Sequence, residues 1–383
     1  MLEGARQWIT VPAVFTRRRA SGSIDNRQLP ALTGVRFLLA LWVVFHHLTG
    51  KRMMLESWAA SLPTSLHEII RGGYLAVGTF FVLSGFVLAR SYGSIAWSRK
   101  NVIRYGVGRF ARIYPAYLIS LLIVSPFILK FLWTPGRPST AEKASVLTSY
   151  VLVLQGWAER ATVHWNTPAW SLSCEFFFYL CFPVFAFCLR KKSTITMATA
   201  LVATVALPLL LARLGVPDFW KPLTHMADFL LGIGAAGVYE RVSRSGAWIS
   251  RRGWWLYGPA AAGGAILVAF PDLVTGWTTL TAALRPMNAA LVIGLGLGGG
   301  LPARVLSTHA ASTLGNASYS LYILHVPLLW WFSRYWWRPM GLMLVVAVAV
   351  YLIGVVMVST AVFKLVEGPA NRRIREWVGA RLG

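Results

Sequence analysis

Charge is scarce in this chain, and acid is scarcer still. Only 13% of the 383 residues are charged, and Asp and Glu together number 13 against 37 Lys and Arg. That scarcity excludes an ordinary soluble domain, which carries roughly twice that share of charge. Cysteine is almost absent, and Cys174, Cys181 and Cys188 recur every seven residues along one apolar segment. They fall on one helix face as small packing residues, with no disulfide framework or metal site implied. There is no internal repeat, no soluble domain and no long low-complexity linker. The first thirty residues lack the apolar core of a signal peptide, and being Arg-rich and polar they read as a cytoplasmic tail.

What remains is apolar. The chain is 56% hydrophobic, with a mean hydropathy of +0.57, and such values belong to a polytopic, all-α membrane bundle. The net charge of +24 does not imply nucleic acid, because the basic residues form short clusters between apolar runs and offer no continuous face to a phosphate backbone. Such clusters fix orientation, with the positive loops inside. The spans expected on that rule are 29–50, 72–92, 113–133, 168–189, 194–213, 222–239, 254–270, 279–300, 316–335 and 341–364. The short apolar piece from Ala144 to Trp157 is read as re-entrant or peripheral, because a crossing there would turn Arg190, Lys191, Lys192 and later clusters outward. About ten transmembrane helices follow, with both termini cytoplasmic in the inner membrane. Residues 1–28 and 367–383 become basic tails around a transmembrane domain at 29–366. WWFSRYWWRP, from Trp330 to Pro339, reads as an aromatic anchor at the outer interface.

Chemistry enters with the first span. At about 100° per residue, the eleven steps from Arg36 to His47 bring both side chains to one helix face, about 16 Å apart along the axis. An arginine and an imidazole on one face of a lipid-embedded helix face protein or a watery cavity. His46 points about 80° away. Of the acidic residues, Glu175 and Asp228 are read as the ones lying well inside spans, and both need partners there. Glu175 sits about 10 Å into its span, where His47 can meet it in the outer half of the membrane. His325, about 10 Å into the span that starts near Ser318, lines the same cavity or bonds a backbone carbonyl. Arg109 and Arg112, at i and i+3, project together at the cytoplasmic mouth of the third span. Paired guanidinium groups suit phosphate, with lipid-headgroup anchoring as the alternative. Ser84, in a glycine-rich span, is either a helix contact or a polar contact to ligand. A phosphorylated donor bound inside and a group delivered outward would use these residues, with His47 as general base beside a carboxylate and no metal.

Several stretches then resemble the family-3 membrane acyltransferases, integral membrane O-acyltransferases that decorate bacterial surface glycans, lipids and some natural products. The stretches are Arg36 with His47, FFVLSGFVL (Phe80–Leu88), RFARIYPAY (Arg109–Tyr117), PAWSLSCEFFFY (Pro168–Tyr179), DFLLG (Asp228–Gly232) and SYSLYILHVP (Ser318–Pro327). The resemblance implies an acyl-CoA donor, usually acetyl-CoA, approached from the cytoplasm, and a hydroxyl acceptor on a glycan or a lipid-linked molecule. It places His47 as the essential histidine and Glu175 beside it. Arg36, Arg109, Arg112 and Ser84 fall to the donor, and Asp228, His325 and Tyr117 to the acceptor. Two departures stand out: LTGVRF replaces the LDGLRG common in relatives, with His46 as a fallback base, and no SGNH-type domain follows the last span. A transporter or flippase for a lipid-linked or acyl substrate is the alternative function, although the matched halves expected of one are missing.

Overall fold

The structure is a computed structural model that describes residues 29–93, 95–133, 139–158, 165–189, 220–274, 276–335 and 341–382, with short pieces between 202 and 216. The expected tail at 1–28 and most of the expected span at 194–213 lie outside the described residues. The long helices are α1 (Pro30–Leu48), α4 (Ala76–Tyr92), α5 (Arg99–Leu132) and α7 (Trp170–Leu189) in the first half. Short helices α2 (Glu56–Ala60) and α3 (Thr64–Arg71) precede α4, and α6 (Thr140–Val151) precedes α7. In the second half come α8 (Met226–Arg244), α9 (Trp254–Ala269), α10 (Gly276–Leu297), α11 (Gly300–Leu306), α12 (His309–Asn316), α13 (Ser318–Tyr335) and α14 (Leu342–Val362). A π turn at Phe363–Glu367 then leads into α15 (Gly368–Leu382). The residues read from sequence as a C-terminal tail are therefore helical.

Among the described residues, six helical stretches are long and apolar enough to cross a membrane: Pro30–Leu48, Thr64–Tyr92, Arg99–Lys130, Thr167–Ala186, Thr279–Leu297 and Leu342–Arg381. The expected spans at 222–239, 254–270 and 316–335 are helices that fall short of that test. α9 has only 16 residues, about 24 Å against a hydrocarbon core of about 30 Å.

Two features of the packing place the site. α4 and α8 cross through a reciprocal glycine contact, where a Cβ on Gly85 would lie 2.1 Å from the Phe229 carbonyl oxygen and one on Gly232 2.0 Å from that of Val82. The SGF and DFLLG stretches are therefore two halves of one helix crossing, at a distance only glycine permits. The second feature is the segment between α5 and α7. α6 has twelve residues, about 18 Å, and does not cross. Its end is pinned to the middle of α5, where the Tyr117 hydroxyl donates to the Tyr150 carbonyl at 2.7 Å and that of Tyr114 to Val151 at 3.3 Å. The chain reverses at Val153, whose φ of 57° costs of order 1–3 kcal/mol for a non-glycine residue. A buried network offsets that strain: Tyr150 Oη accepts from the backbone N–H of Trp165 at 3.1 Å, and Asn166 Nδ2 donates to Ser120 and to the Ile323 carbonyl at 3.0 and 2.9 Å. Pro327, four residues after Ile323 in α13, has no N–H to offer that carbonyl, so the proline frees the acceptor that Asn166 uses.

Candidate functional site

His47 lies in the last turn of α1, and its Nδ1 is 2.9 Å from the Val43 carbonyl and 3.2 Å from Nε2 of His325. His325 is fully buried, with its Nδ1 2.6 Å from the Tyr322 carbonyl. A carbonyl only accepts, so Nδ1 of His325 carries a hydrogen and, in the neutral ring, Nε2 holds a lone pair. That lone pair faces Nδ1 of His47, which carries a hydrogen shared between Val43 and His325. The remaining nitrogen of His47, Nε2, is then the bare one and keeps its lone pair for a substrate proton. The two rings meet edge to face, with centroids 4.8 Å apart, and the Tyr351 hydroxyl holds the backbone of His325 through its carbonyl at 2.8 Å. His46, the fallback base, spends Nδ1 on the Arg71 carbonyl.

Glu175 does not take the role beside His47 expected from sequence. Its carboxylate accepts from the Tyr179 hydroxyl at 2.5 Å and from Ser84 Oγ at 3.4 Å. Both donors reach it from helices fixed by the glycine crossing and by α7 itself, and the imidazole partner of His47 is His325. Ser84, expected at the donor, is a ligand of Glu175.

At the other end of α1, Arg36 lies within electrostatic reach of Arg112, Glu175 and Glu367. Arg112 forms a buried ion pair with Glu367, whose second oxygen accepts from Ser320 Oγ at 2.7 Å. Glu367 is 0% exposed. Arg109 donates to the Tyr92 hydroxyl at 3.2 Å and lies against the faces of Tyr92 and Tyr179, 5.3 and 5.7 Å from the ring centroids. The two arginines of the i, i+3 pair thus differ: Arg112 is neutralised by a carboxylate, whereas Arg109 meets only aromatic faces and a hydroxyl.

Two further expectations resolve differently. Asp228 accepts from Nε of Arg285 at 3.0 Å and pairs with Nδ1 of His225 at 3.1 Å, 6% exposed. Tyr117, expected at the acceptor, is 0% exposed with its hydroxyl spent on Tyr150, so it anchors the reversing segment.

Comparison with known proteins bears on what this geometry serves. A family model described as an acyltransferase domain, the third of that name, matches residues 29–364. The chain belongs to the family-3 membrane acyltransferases. It is 31% identical to the acyltransferase MdmB of Streptomyces mycarofaciens over 344 residues, covering 82% of this chain and 81% of that protein. It is 22% identical to the O-acetyltransferase OatA of Staphylococcus aureus over 407 residues, covering 93% of this chain but only 59% of OatA. No solved structure matches. As a member of that family, the chain is an acyltransferase that takes an acyl donor and a hydroxyl acceptor.

In this family member, sequence reasoning overlooked three polar residues. Glu367 follows a long apolar run and precedes Gly368, Pro369 and a basic stretch, so it read as the start of a tail. The π turn at Phe363–Glu367 turns its carboxylate inward to Arg112, and such turns recur at functional sites. Arg285 lies inside an apolar span and is the partner that Asp228 required, a match legible as one buried cation for one buried anion. The third, His225, sits just before the N-terminus of α8 and shares Asp228.

Proposed function

We propose that the protein moves an acyl group, acetyl in the simplest case, from cytoplasmic acyl-CoA to a hydroxyl of a surface glycan, a glycolipid or a related acceptor. The supporting observation is the contact between Nε2 of His325 and Nδ1 of His47 at 3.2 Å, which leaves His47 a free basic nitrogen without any carboxylate beside it. In this reading Nε2 of His47 takes the acceptor's hydroxyl proton as its oxygen attacks the thioester carbonyl. The tetrahedral intermediate then collapses, the carbon–sulfur bond breaks, and the leaving thiolate recovers the proton from the imidazolium. The donor's phosphates rest at the arginine end of α1. The thioester lies about 16 Å along the helix at His47, a distance for the pantetheine arm to bridge.

This reading places ten crossings in the inner membrane, with both termini and the arginine end cytoplasmic. The test is transfer of radiolabelled acetyl from acetyl-CoA to membranes carrying the wild type, His47→Ala or Arg36→Ala at equal protein level, followed by mild alkaline release. Alkali-labile label in the wild type alone supports the reading, and the labelled fraction identifies the acceptor. Wild-type membranes that gain no label from acetyl-CoA or from a panel of longer acyl-CoAs would sink it.

A further inference from the structure

One guanidinium at the arginine end lies outside every motif and beyond residue 364, where the family match stops. Arg375, on α15, donates from Nη2 to the Gly108 carbonyl at 3.4 Å and from Nε to the Asn371 side chain. Its electrostatic neighbours are Arg109, Arg112 and Tyr92. Arg375 thus stands over the start of the RFARIYPAY stretch, near the tyrosine that receives Arg109.

The charges do not balance. Arg36, Arg109, Arg112 and Arg375 gather here with Glu175 and Glu367, four cations against two carboxylates. Among the described residues, Glu367 is ion-paired with Arg112, and no carboxylate is ion-paired with Arg36, Arg109 or Arg375. Nε of Arg109 is buried with no hydrogen-bond partner. A buried donor without an acceptor carries a desolvation penalty that a bound anion would remove. Like charges held together without counterions form a site for a polyanion, and planar guanidinium forks match phosphate oxygens.

We propose that Arg375 completes, with Arg36 and Arg109, a cradle for phosphoryl groups, and that Arg112, held by Glu367 and Ser320, shapes this cradle without binding in it. Resting on the acyltransferase reading, the proposal makes the phosphate ester a nucleotide-bearing acyl donor. A lipid headgroup shares that chemistry and is the other source to be separated by experiment.

The experiment uses the full chain in nanodiscs of zwitterionic lipid, with Arg375→Gln, Arg375→Lys and, as an exposed control, Arg373→Gln. Equilibrium binding of CoA and of 3′-dephospho-CoA is measured alongside acetyl-transfer kinetics and thermal unfolding. Loss of one charge-assisted contact predicts CoA affinity about 10-fold weaker in Arg375→Gln. The KM for acetyl-CoA rises in parallel, kcat stays within about two-fold, and the loss is smaller with the dephospho ligand. Arg375→Lys recovers part of the affinity, and Arg373→Gln matches the wild type. Equal CoA affinity in wild type and Arg375→Gln overturns the proposal. So does a loss that Arg375→Lys fails to recover and that comes with a lowered unfolding midpoint, since that marks a purely structural arginine. Repeating the binding in anionic lipid separates the sources: an Arg375→Gln effect seen only there assigns the site to headgroups and overturns the donor assignment. If CoA binding depends on Arg375 but no acyl group moves, the cradle stands and the acyltransferase chemistry fails.

Discussion

At Arg36, α1 runs among guanidinium groups and carboxylates, whereas eleven residues further on, at His47, its neighbours are the imidazoles of His325 and His46 and the Val43 carbonyl. One end gathers charge and leaves part of it uncompensated, while the other contains hydrogen bonds between neutral groups. On the function proposed above, the difference follows from what each end has to hold. A polyanion is bound by cations kept in place before it arrives, and the cost of keeping them there is met by buried pairs such as Arg112 with Glu367. A general base at neutral pH stays uncharged until it acts, and the His325 acceptor fixes the tautomer of His47 without placing a charge beside it. The acyltransferase therefore has a reason to keep Glu175 at the arginine end, bound by Tyr179 and Ser84, away from His47.

The division can be attacked from either side. The largest effect is expected at the base: His47→Ala should lower kcat about 10³- to 10⁴-fold in the acetyl-transfer assay, with donor affinity little changed. Glu367→Gln comes next. It leaves the partly buried Arg112 without its counter-charge and should cost about 3 kcal/mol of stability, read as a fall in the unfolding midpoint in detergent, while the His47 end keeps its geometry. His325→Asn should lower kcat about 10²-fold, since it withdraws the acceptor that fixes the tautomer of His47. Its signature is a displaced acidic limb of the pH–rate profile with unchanged KM for donor, which a packing defect alone would not give. Ser84→Ala removes one weak donor to Glu175 while Tyr179 remains, and a loss of only a few-fold in kcat/KM is expected. A Ser84→Ala effect as large as that of His47→Ala would mean that the two ends are not separate.

Much of this was legible in the residues. Apolar periodicity gave the helical class, and the eleven-residue spacing put Arg36 and His47 on one face because helix geometry is local. The charge clusters argued that Ala144–Trp157 does not cross, and α6 with its twelve residues is short for a crossing. Partnerships were harder to see. Nothing in the spacing says that His47 meets His325, 278 residues away, or that Asp228 meets Arg285. Those contacts join α1 to α13 and α8 to α10, and they depend on how the helices cross in three dimensions. Glu367 was hidden for another reason: hydropathy ends its span among basic residues, whereas a π turn keeps its carboxylate inside.

That carboxylate also sets an order of assembly. Glu367 is synthesised 255 residues after Arg112, once α6 to α14 have been made. Until then Arg112 lacks its ion-pair partner, so the arginine end of α1 closes only after those helices exist. A chain truncated after Val362 keeps α1, α13 and α14, and should retain the His47–His325 pair while leaving Arg112 without Glu367. Quality control acting on that species would tie the lifetime of the enzyme to the pairing of Arg112 with Glu367.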